Sequence, residues 1–398
     1  MLRPGSFALT LLLAMLTGLG PLSVDMYLAS LPDISRLLNA PPSQVQLTIS
    51  FYLVGLACAQ IVFGPLSDRH GRRPVLLSAL GVYAAASLVC SLATSIEALI
   101  AARLLQAVGG AGTMVLARAI VRDMFDGTRL ARELSRMAAI MALAPLVAPV
   151  IGGVLQTTFG WRSNFIALLA FALVAWTMVF ILLPETLRKR TPEFSLSSTV
   201  RSFGRFLADR GFVVHLGIVA CCLGGLFAWI STAAFVLQDI YGLTPLSFGL
   251  SFTLASAGYL VGTSIAARFV TRWGSGRTMG LGTVAMAAGG IAMMLHVATG
   301  SHVGIALTLT AGLYMIGMGM ALPQAQAGAL HPFPDRAGAA SSLLGFCTQT
   351  SSAVVGATLG HLLASSAWPL AIAMAVAGGF GVMLWIMSRG IRAAGSPR

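Results

Sequence analysis

The sequence predicts an all-α polytopic membrane protein with twelve transmembrane helices in two six-helix bundles. Hydrophobic residues make up 57% of its 398 positions and charged residues only 9%, whereas soluble domains carry about 25% charged residues. Apolar runs long enough to cross a bilayer recur from end to end. A short charged motif also returns after about half the chain.

Each predicted span is an apolar stretch of roughly 20 residues, the length that a helix needs to cross a hydrocarbon core about 30 Å thick. The spans are 7–28, 44–66, 74–94, 97–118, 136–157, 162–184, 212–237, 247–268, 278–297, 302–325, 337–363 and 368–388. The longest polar stretch separates the sixth span from the seventh. It divides the chain into an N-terminal bundle over 1–184, a linker over 185–210 and a C-terminal bundle over 211–398.

The charged motif lies between the second and third spans and again between the eighth and ninth. Residues 64–73 read Gly-Pro-Leu-Ser-Asp-Arg-His-Gly-Arg-Arg, and residues 267–277 read Ala-Arg-Phe-Val-Thr-Arg-Trp-Gly-Ser-Gly-Arg. The second copy aligns Gly274 with Gly71. A repeat of this period indicates two similar halves that carry the same hairpin on the same side of the bilayer.

Basic residues predict the orientation, because Lys and Arg are retained on the cytoplasmic side of short loops. All of them except Arg36, Arg103 and Arg162 fall in segments that alternating spans place on one side, so both termini are expected in the cytoplasm. This distribution accounts for the net charge of +13 without nucleic acid as a partner. The first span resembles a secretory signal, but no clear small-residue cleavage site follows before Asp25.

The first copy of the motif has features that orientation alone does not require. Gly64 allows close helix approach, Asp68 ends the second helix and Gly71 makes the turn. Arg69 and Arg72 are cations that seek acidic partners. A loop that only retained positive charge would need neither the aspartate nor the glycines. The ten ordered positions resemble motif A of the major facilitator superfamily of secondary transporters.

This resemblance implies the superfamily's fold of two six-helix bundles and transport of solutes by alternating access. It also implies that the motif is a latch that holds one conformation. Arg72 would pair with Asp123 at the end of the fourth helix. Asp68 would face the start of the eleventh helix, whose N-terminal dipole favours an anion.

Two further stretches resemble motifs of the same superfamily. Residues 103–111, Arg-Leu-Leu-Gln-Ala-Val-Gly-Gly-Ala, resemble motif B of the fourth helix, with Ala107 where glycine is more usual. They bring Arg103 into the membrane. Residues 144–153, Ala-Pro-Leu-Val-Ala-Pro-Val-Ile-Gly-Gly, resemble motif C of proton-linked antiporters, with Ala148 where glycine is common.

The residues of motif C predict a bent and closely packed helix. Pro145 and Pro149 remove helix hydrogen bonds and bend the span. Gly152 and Gly153 let a neighbouring helix pack closely. An ordinary kinked packing helix is the alternative interpretation of this stretch.

The first span narrows the family further. Residues 23–32, Ser-Val-Asp-Met-Tyr-Leu-Ala-Ser-Leu-Pro, resemble the first-helix motif of the bicyclomycin and chloramphenicol resistance (Bcr/CflA) subfamily of drug exporters, with Ala29 where proline is usual. Residues 119–124 and 333–341 are similar to the same subfamily. The resemblance implies a drug:proton antiporter, and it implies a class of activity rather than one substrate.

Asp25 is the candidate proton carrier. A carboxylate inside a span costs about 2.5–3.5 kcal/mol on insertion scales, so its presence indicates a use, and burial favours its neutral form. The alternative places Asp25 at the outer water interface, since it lies roughly 27 Å along a helix that begins at Phe7. Arg103 would act as a fixed charge that orients the acid, or it would bond backbone carbonyls of a neighbouring helix.

Aromatic residues of the seventh span are candidates for a substrate pocket. Phe227, Trp229 and Phe235 would line it for flat apolar solutes, together with Tyr27 of the first span. Packing or contact with lipid is the alternative role of these side chains. The five cysteines lie in apolar runs without metal-ligand spacing, so no metal site is expected.

These features predict an exporter that exchanges small amphipathic or apolar compounds for protons. An uptake symporter, or an exporter of an endogenous metabolite, is the alternative on the same fold. An enzyme is disfavoured, because the sequence has no His-Glu-x-x-His, Gly-x-Ser-x-Gly or Walker motif. Without a cofactor, the energy would come from the proton gradient. We expect a monomer in the bacterial inner membrane whose partners are protons, lipid and a chloramphenicol- or bicyclomycin-type substrate.

Overall fold

A computed structural model describes residues 7–125, 127–141, 143–187, 203–333, 337–362 and 366–394. These residues form helices joined by short turns and contain no β-strand. The chain divides into two compact units, Met1–Phe194 and Ser195–Arg398. The division falls inside the predicted linker, whose central part, 188–202, lies outside the described residues.

The described part of the first unit contains eight helices. They are α1 (Phe7–Asp25), α2 (Leu31–Leu37), α3 (Pro42–His70), α4 (Arg72–Leu92), α5 (Ile96–Met124), α6 (Gly127–Met141), α7 (Ala144–Phe159) and α8 (Arg162–Leu182). A 3₁₀ turn over Leu28–Ser30 separates α1 from α2.

The described part of the second unit begins with a short helix that belonged to the predicted linker. Its helices are α9 (203–208), α10 (Arg210–Phe235), α11 (Pro245–Trp273), α12 (Ser275–Ala298), α13 (Gly304–Leu330), α14 (Ala337–Leu362) and α15 (Trp368–Ala394). A π-helical turn over Val236–Ile240 follows α10.

Both units pair their helices in the same order. In the first unit α5 packs against α3, α4 and α1, and α4 also packs against α8. In the second unit α13 packs against α11, α12 and α10, and α12 also packs against α15. The helix pairs therefore repeat, as the two copies of the charged motif predicted.

The repeated hairpin has a similar backbone in the two units. Gly71 follows α3 with a φ of 101°, and Gly274 follows α11 with a φ of 75°. Only glycine adopts such positive φ angles readily. Each glycine is also the N-cap of the next helix, so one residue ends one helix and starts the next.

The long helices have the composition of membrane spans. Eleven stretches of described helix are long and apolar enough to cross a bilayer. The remaining predicted span, 337–363, coincides with α14. The chain is therefore an all-α polytopic membrane protein.

Most span boundaries differ by a few residues from the sequence prediction, and two of the differences have a structural cause. The first span continues beyond residue 28 to Leu37, because the helix breaks at Asp25 and then resumes. The fifth span begins at Arg132 rather than at 136. Its first helix, α6, is amphipathic, and a helix with a polar face resembles a loop when hydropathy alone is considered.

Candidate functional site

The first membrane span is broken at Asp25. α1 ends at this residue, Met26 and Tyr27 form a turn, and the chain resumes with the 3₁₀ turn Leu28–Ser30 and α2. Pro21 lies one turn before the break and removes a backbone hydrogen-bond donor there. Such breaks within a span occur where the freed backbone is enclosed by protein or lines a cavity, and they are frequent at ion and substrate sites of transporters.

The carboxylate of Asp25 is enclosed and unpaired. The residue is 6% exposed, so the protein encloses it, and its depth in the membrane stays a prediction. Its side chain forms no hydrogen bond or ion pair with any described residue. A buried charge without a paired cation is costly, and uptake of a proton removes that cost.

Gly152 of α7 lies directly against the break. A Cβ atom at this position would overlap the carbonyl group of Met26, so glycine is needed for α7 to approach the first span there. Gly153 is buried as well, Pro145 lies in the first turn of α7 and Pro149 lies inside the helix. The neighbour of motif C, which the sequence did not identify, is therefore the turn that follows Asp25.

Arg103 of α5 is fully buried in an aromatic cage, which we define as Tyr27, Tyr52 and Phe165. Its guanidinium carbon lies 4.5 Å from the ring centroid of Tyr27, 4.2 Å from that of Tyr52 and 5.8 Å from that of Phe165. Nη1 donates to Gln106 Oε1 over 2.6 Å. Within the described part of the chain, Nε and Nη2 have no acceptor.

The two tyrosines of the aromatic cage are held by hydrogen bonds. Tyr27 Oη is hydrogen-bonded to Thr48 Oγ1, and Tyr52 Oη donates to Gly20 O over 3.2 Å. The described residues show no ion pair between the caged arginine and Asp25. The arginine is instead connected to the break through Tyr27, which stands two residues after the acid and stacks on the guanidinium.

A polar network ties the segment after the break to α7 and α8. Ser30 Oγ donates to Gln156 Oε1 over 2.5 Å, and Gln156 Nε2 donates to Asp33 Oδ2. Asn164 Nδ2 donates to Ser30 Oγ over 2.9 Å. These partners are distant in sequence, so no local sequence pattern predicted their hydrogen bonds. The network holds the resumed helix in place, which makes the break a fixed feature of the first unit.

Arg72 is the centre of the charged hairpin between α3 and α4. Its Nε donates to Asp123 Oδ2 over 2.9 Å. Nη1 contacts Asp68 Oδ1 at 2.6 Å and Ser67 Oγ at 2.6 Å. The structure thus brings together Arg72 and Asp123, the pair that motif A implied, and adds Asp68 to it. The approach of Asp68 to the eleventh helix stays a prediction.

Two residues of the hairpin lack the roles that the sequence suggested. Arg69 is exposed and has no acidic partner among the described residues. A Cβ atom at Gly64 would meet no heavy atom within 4 Å, so close helix packing does not explain this glycine. Gly71 has its predicted role in the turn, and a Cβ atom there would lie 2.6 Å from a carboxylate oxygen of Glu185.

Glu185, which follows α8, closes the hairpin. Its carboxylate accepts hydrogen bonds of 2.9 Å from Arg72 N and 3.1 Å from Arg73 N, the first backbone donors of α4. The backbone N–H groups of Thr186 and Leu187 donate to it as well. Partial burial opposes ionisation, but these four donors hold the pKa of the Glu185 carboxyl below its usual value. Glu185 lies in the predicted linker, and its role in the hairpin was not predicted.

Glu133 of α6 is a second buried carboxylate, which was not among the predicted site residues. The residue is 6% exposed. It accepts a hydrogen bond of 2.7 Å from Thr10 Oγ1 on α1, and it forms an ion pair of 2.7 Å with Arg136. The predicted fifth span began at residue 136 and therefore left Glu133 in a loop. The amphipathic pattern of α6 is the sequence feature that could have placed Glu133 on a helix.

The aromatic candidates of the second unit are buried but do not form one cluster. Phe227 is 9%, Trp229 0% and Phe235 4% exposed. The ring centroid of Trp229 lies 6.4 Å from that of Phe252, which in turn lies 6.0 Å from that of Phe248 on the same helix, α11. Trp229 Nε1 has no acceptor among the described residues. These contacts place Trp229 in an aromatic group with α11.

Known proteins match this chain over most of its length. A family profile described as Major Facilitator Superfamily matches residues 13–355, and a second match covers 216–397. The chain is 38% identical over 359 residues to the uncharacterized MFS-type transporter YdgK of Bacillus subtilis, with 89% of this chain and 88% of that protein covered.

Two other relatives are named for drug resistance. The chain is 30% identical over 383 residues to the bicyclomycin resistance protein homolog of Haemophilus influenzae, with 94% of each covered. It is 32% identical over 351 residues to the multidrug resistance protein MdtL of Salmonella paratyphi B, with 88% of this chain and 85% of that protein covered.

Solved structures show the same fold at low sequence identity. A bacterial homolog of the human lysosomal transporter Spinster, inward-facing and unoccupied, matches with a TM-score of 0.79 at 17% identity, over 99% of this chain and 100% of that chain. A D-xylose-proton symporter matches with a TM-score of 0.75 at 17% identity, over 96% and 97%. At these identities the likeness concerns the fold alone.

Proposed function

We propose, on the premise that the chain belongs to the Major Facilitator Superfamily, that it exports small amphipathic or apolar compounds in exchange for protons. The relatives named for bicyclomycin resistance and multidrug resistance support this class of activity and substrate. Transport proceeds by alternating access, in which one substrate site opens to one side of the membrane at a time.

The observation that carries this proposal is the unpaired Asp25 carboxylate at a break in a membrane span. A carboxylate changes its charge when it binds one proton, so this site holds either a proton or a negative charge. When the proton leaves, the substrate binds, and when a proton returns, the substrate is released. Gly152 supports the site, because it lets α7 pack on the turn beside the acid.

Arg103 supplies a fixed positive charge to the same region. An arginine does not deprotonate in proteins, so it does not carry the proton itself. The aromatic cage compensates part of its lost hydration through cation–π contacts, which contribute about 2 kcal/mol or more when desolvated. Because no described residue forms an ion pair with Asp25, the acid stays free to exchange its proton.

Arg72 and its partners Asp68, Ser67 and Asp123 form the latch of the first unit. It connects the α3–α4 hairpin to Asp123 at the end of α5. Glu185 extends the connection to the segment after α8 by accepting bonds from the first turn of α4. A conformational change that moves these helices separately has to break these charge-assisted bonds, which are stronger than neutral ones.

The proton gradient is the energy source, and the proposal includes no cofactor. A proton that moves down 100 mV releases about 2.3 kcal/mol, which supports a solute gradient of roughly fiftyfold. The distribution of arginines supports a location in the bacterial inner membrane with both termini in the cytoplasm. We expect the monomer to transport, since each unit of one chain completes its own helix pairs.

The test is drug-for-proton exchange in proteoliposomes with an imposed pH gradient. We expect Asp25→Asn to abolish the exchange of bicyclomycin- or chloramphenicol-type compounds while the protein inserts at normal levels. The matched control is Glu97→Gln, which neutralises an exposed acid of the same unit, in the first turn of α5, that makes no side-chain hydrogen bond among the described residues. This control should retain exchange.

Three outcomes would contradict the proposal in different ways. Normal active transport by the Asp25→Asn variant would remove Asp25 from the mechanism. Movement of substrate and protons in the same direction in the wild type would identify an uptake symporter. Exchange of an endogenous metabolite by a protein that ignores a panel of antibiotics and dyes would identify a metabolite exporter.

A further inference from the structure

The predicted cytoplasmic end of the first unit carries an exposed row of arginines. Arg129, Arg132 and Arg136 lie three and four residues apart on one face of α6, and all are exposed. Arg118 and Arg122, in the last turns of α5, are exposed as well. Since α5 packs against α6, these five residues belong to one region, which we call the arginine stripe.

The arginine stripe is poorly neutralised by the protein. Arg136 pairs with the buried Glu133, and Asp123 is engaged by Arg72. The other four arginines of the stripe have no hydrogen bond or ion pair with a described residue. The third carboxylate of this segment, Asp126, lies outside the described residues. Positive charge therefore remains available on this surface.

The packing of α6 places the stripe where the chain enters the membrane. Glu133 and Met137 are buried on the neighbouring face of the helix, which packs against α1. The span that contains α6 and α7 begins at Arg132 and continues to Phe159. We expect the amphipathic start of this span to lie at the level of the lipid headgroups.

Orientation alone does not require so many arginines. In the second unit, the connection between α13 and α14 is the counterpart of the connection between α5 and the fifth span. It contains one arginine, Arg336, although it needs the same orientation. The excess in the first unit therefore has another use.

We propose that the arginine stripe binds the phosphodiester headgroup of an anionic phospholipid, such as phosphatidylglycerol, in the cytoplasmic leaflet. A guanidinium group donates two parallel N–H bonds to phosphate oxygens, which suits it to this headgroup better than an ammonium group. Arginines near an anionic membrane surface also attract it through their charge. This inference goes beyond the transport reaction, because lipid binding is measured without substrate.

Native mass spectrometry of the full-length protein in detergent tests the proposal. The protein is titrated with phosphatidylglycerol and, separately, with phosphatidylethanolamine of the same acyl chains. We expect the wild type to prefer phosphatidylglycerol. In the Arg129→Gln/Arg132→Gln variant, the affinity for phosphatidylglycerol should fall about fivefold for each arginine removed. The matched control, Arg268→Gln/Arg272→Gln, removes the same charge from the end of α11 and should keep the wild-type affinity.

A second variant separates binding from folding and charge. Arg129→Lys/Arg132→Lys keeps the charge and loses the paired N–H bonds, so its affinity should fall between those of the wild type and the glutamine variant. The proposal is overturned if both arginine pairs weaken binding equally, if the glutamine variant binds as well as the wild type, or if the lysine variant binds no better than the glutamine variant. Displacement of the lipid by millimolar inorganic phosphate would also overturn it, because the site would then select a free anion.

Discussion

The two units of the chain repeat one pattern of helix pairs but fill it with different side chains. The buried polar residues of the first unit include four charged ones, Asp25, Arg72, Arg103 and Glu133, and four amides, Gln46, Gln106, Gln156 and Asn164. In the described part of the second unit, every buried polar side chain is a serine or a threonine. The same arrangement of helices thus encloses charges in the first unit, whereas the described core of the second contains none.

Glycines bring the helices of the second unit into close backbone contact. Cβ atoms at Gly258 and Gly262 of α11 would overlap the carbonyl oxygens of Gly312 and Ile316 on α13. Small residues of this kind let helices approach closely, which is how membrane helices associate without a hydrophobic driving force. We expect the proton chemistry to lie in the first unit, because its core holds the buried charged residues.

Removal of the caged arginine should have the largest effect on transport. We expect Arg103→Ala to reduce exchange by at least about tenfold, a barrier of about 1.4 kcal/mol, because it removes the fixed charge near the break and empties the aromatic cage. The measurement is the initial rate of drug-for-proton exchange in proteoliposomes.

The control for this variant is Arg162→Ala, which removes an exposed arginine that stacks on Trp161 at 4.3 Å. It loses the same type of contact outside the buried site and should keep most of the exchange. If both variants lost transport equally, the buried charge of the first unit would have no special role, and the contrast between the units would concern packing only.

Enlargement of a glycine in the second unit should affect stability more than mechanism. Gly262→Ala places a methyl group against Ile316 O, so α11 and α13 have to separate. Overpacking of this kind costs about 1–3 kcal/mol, and we expect a lower midpoint of thermal unfolding in detergent. Gly345→Ala is the matched control, since a Cβ atom there meets nothing within 4 Å. An unchanged midpoint for Gly262→Ala would show that the backbone contacts are not what holds this unit.

The spans were predictable from the sequence because hydropathy is a local property. The positive-φ turn at Gly71 was predictable for the same reason, since the turn requires glycine whatever surrounds it. The cage around Arg103 was not, because Tyr52 and Phe165 meet it only through tertiary packing. Glu185 was missed because its partners, the first donors of α4, are more than 100 residues away. Contacts between segments that are distant in sequence leave no local sequence pattern from which they could be predicted.

Charge exchange across the latch should give an intermediate effect. Arg72→Asp and Asp123→Arg each break the pair at 2.9 Å and should reduce turnover. The double variant should recover part of the loss, with a coupling of about 0.5–3 kcal/mol in a double-mutant cycle. Recovery will be incomplete, because Asp68 also contacts Arg72. Strictly additive losses would mean that the two side chains do not act together. Arg69→Asp, at an exposed residue in the last turn of α3, should change little.

The smallest effect should come from Glu185, whose carboxylate is exposed and therefore screened by water. Its pKa in the folded protein lies below the ordinary value of 4.5, so the ionised form stabilises the fold. This contribution is present above about pH 4.5 and is lost as the pH falls through the lower, folded value. Glu185→Gln should therefore lower the unfolding midpoint at pH 7, by an amount that corresponds to about 0.3–1 kcal/mol for a charge at a helix N-terminus. The difference in unfolding midpoint between this variant and the wild type should disappear in strong acid.

The control is Glu97→Gln. It changes another exposed glutamate in the first turn of a helix, α5, and this glutamate makes no side-chain hydrogen bond among the described residues. An equal loss in both variants would assign the effect to general helix electrostatics and not to the closure of the hairpin.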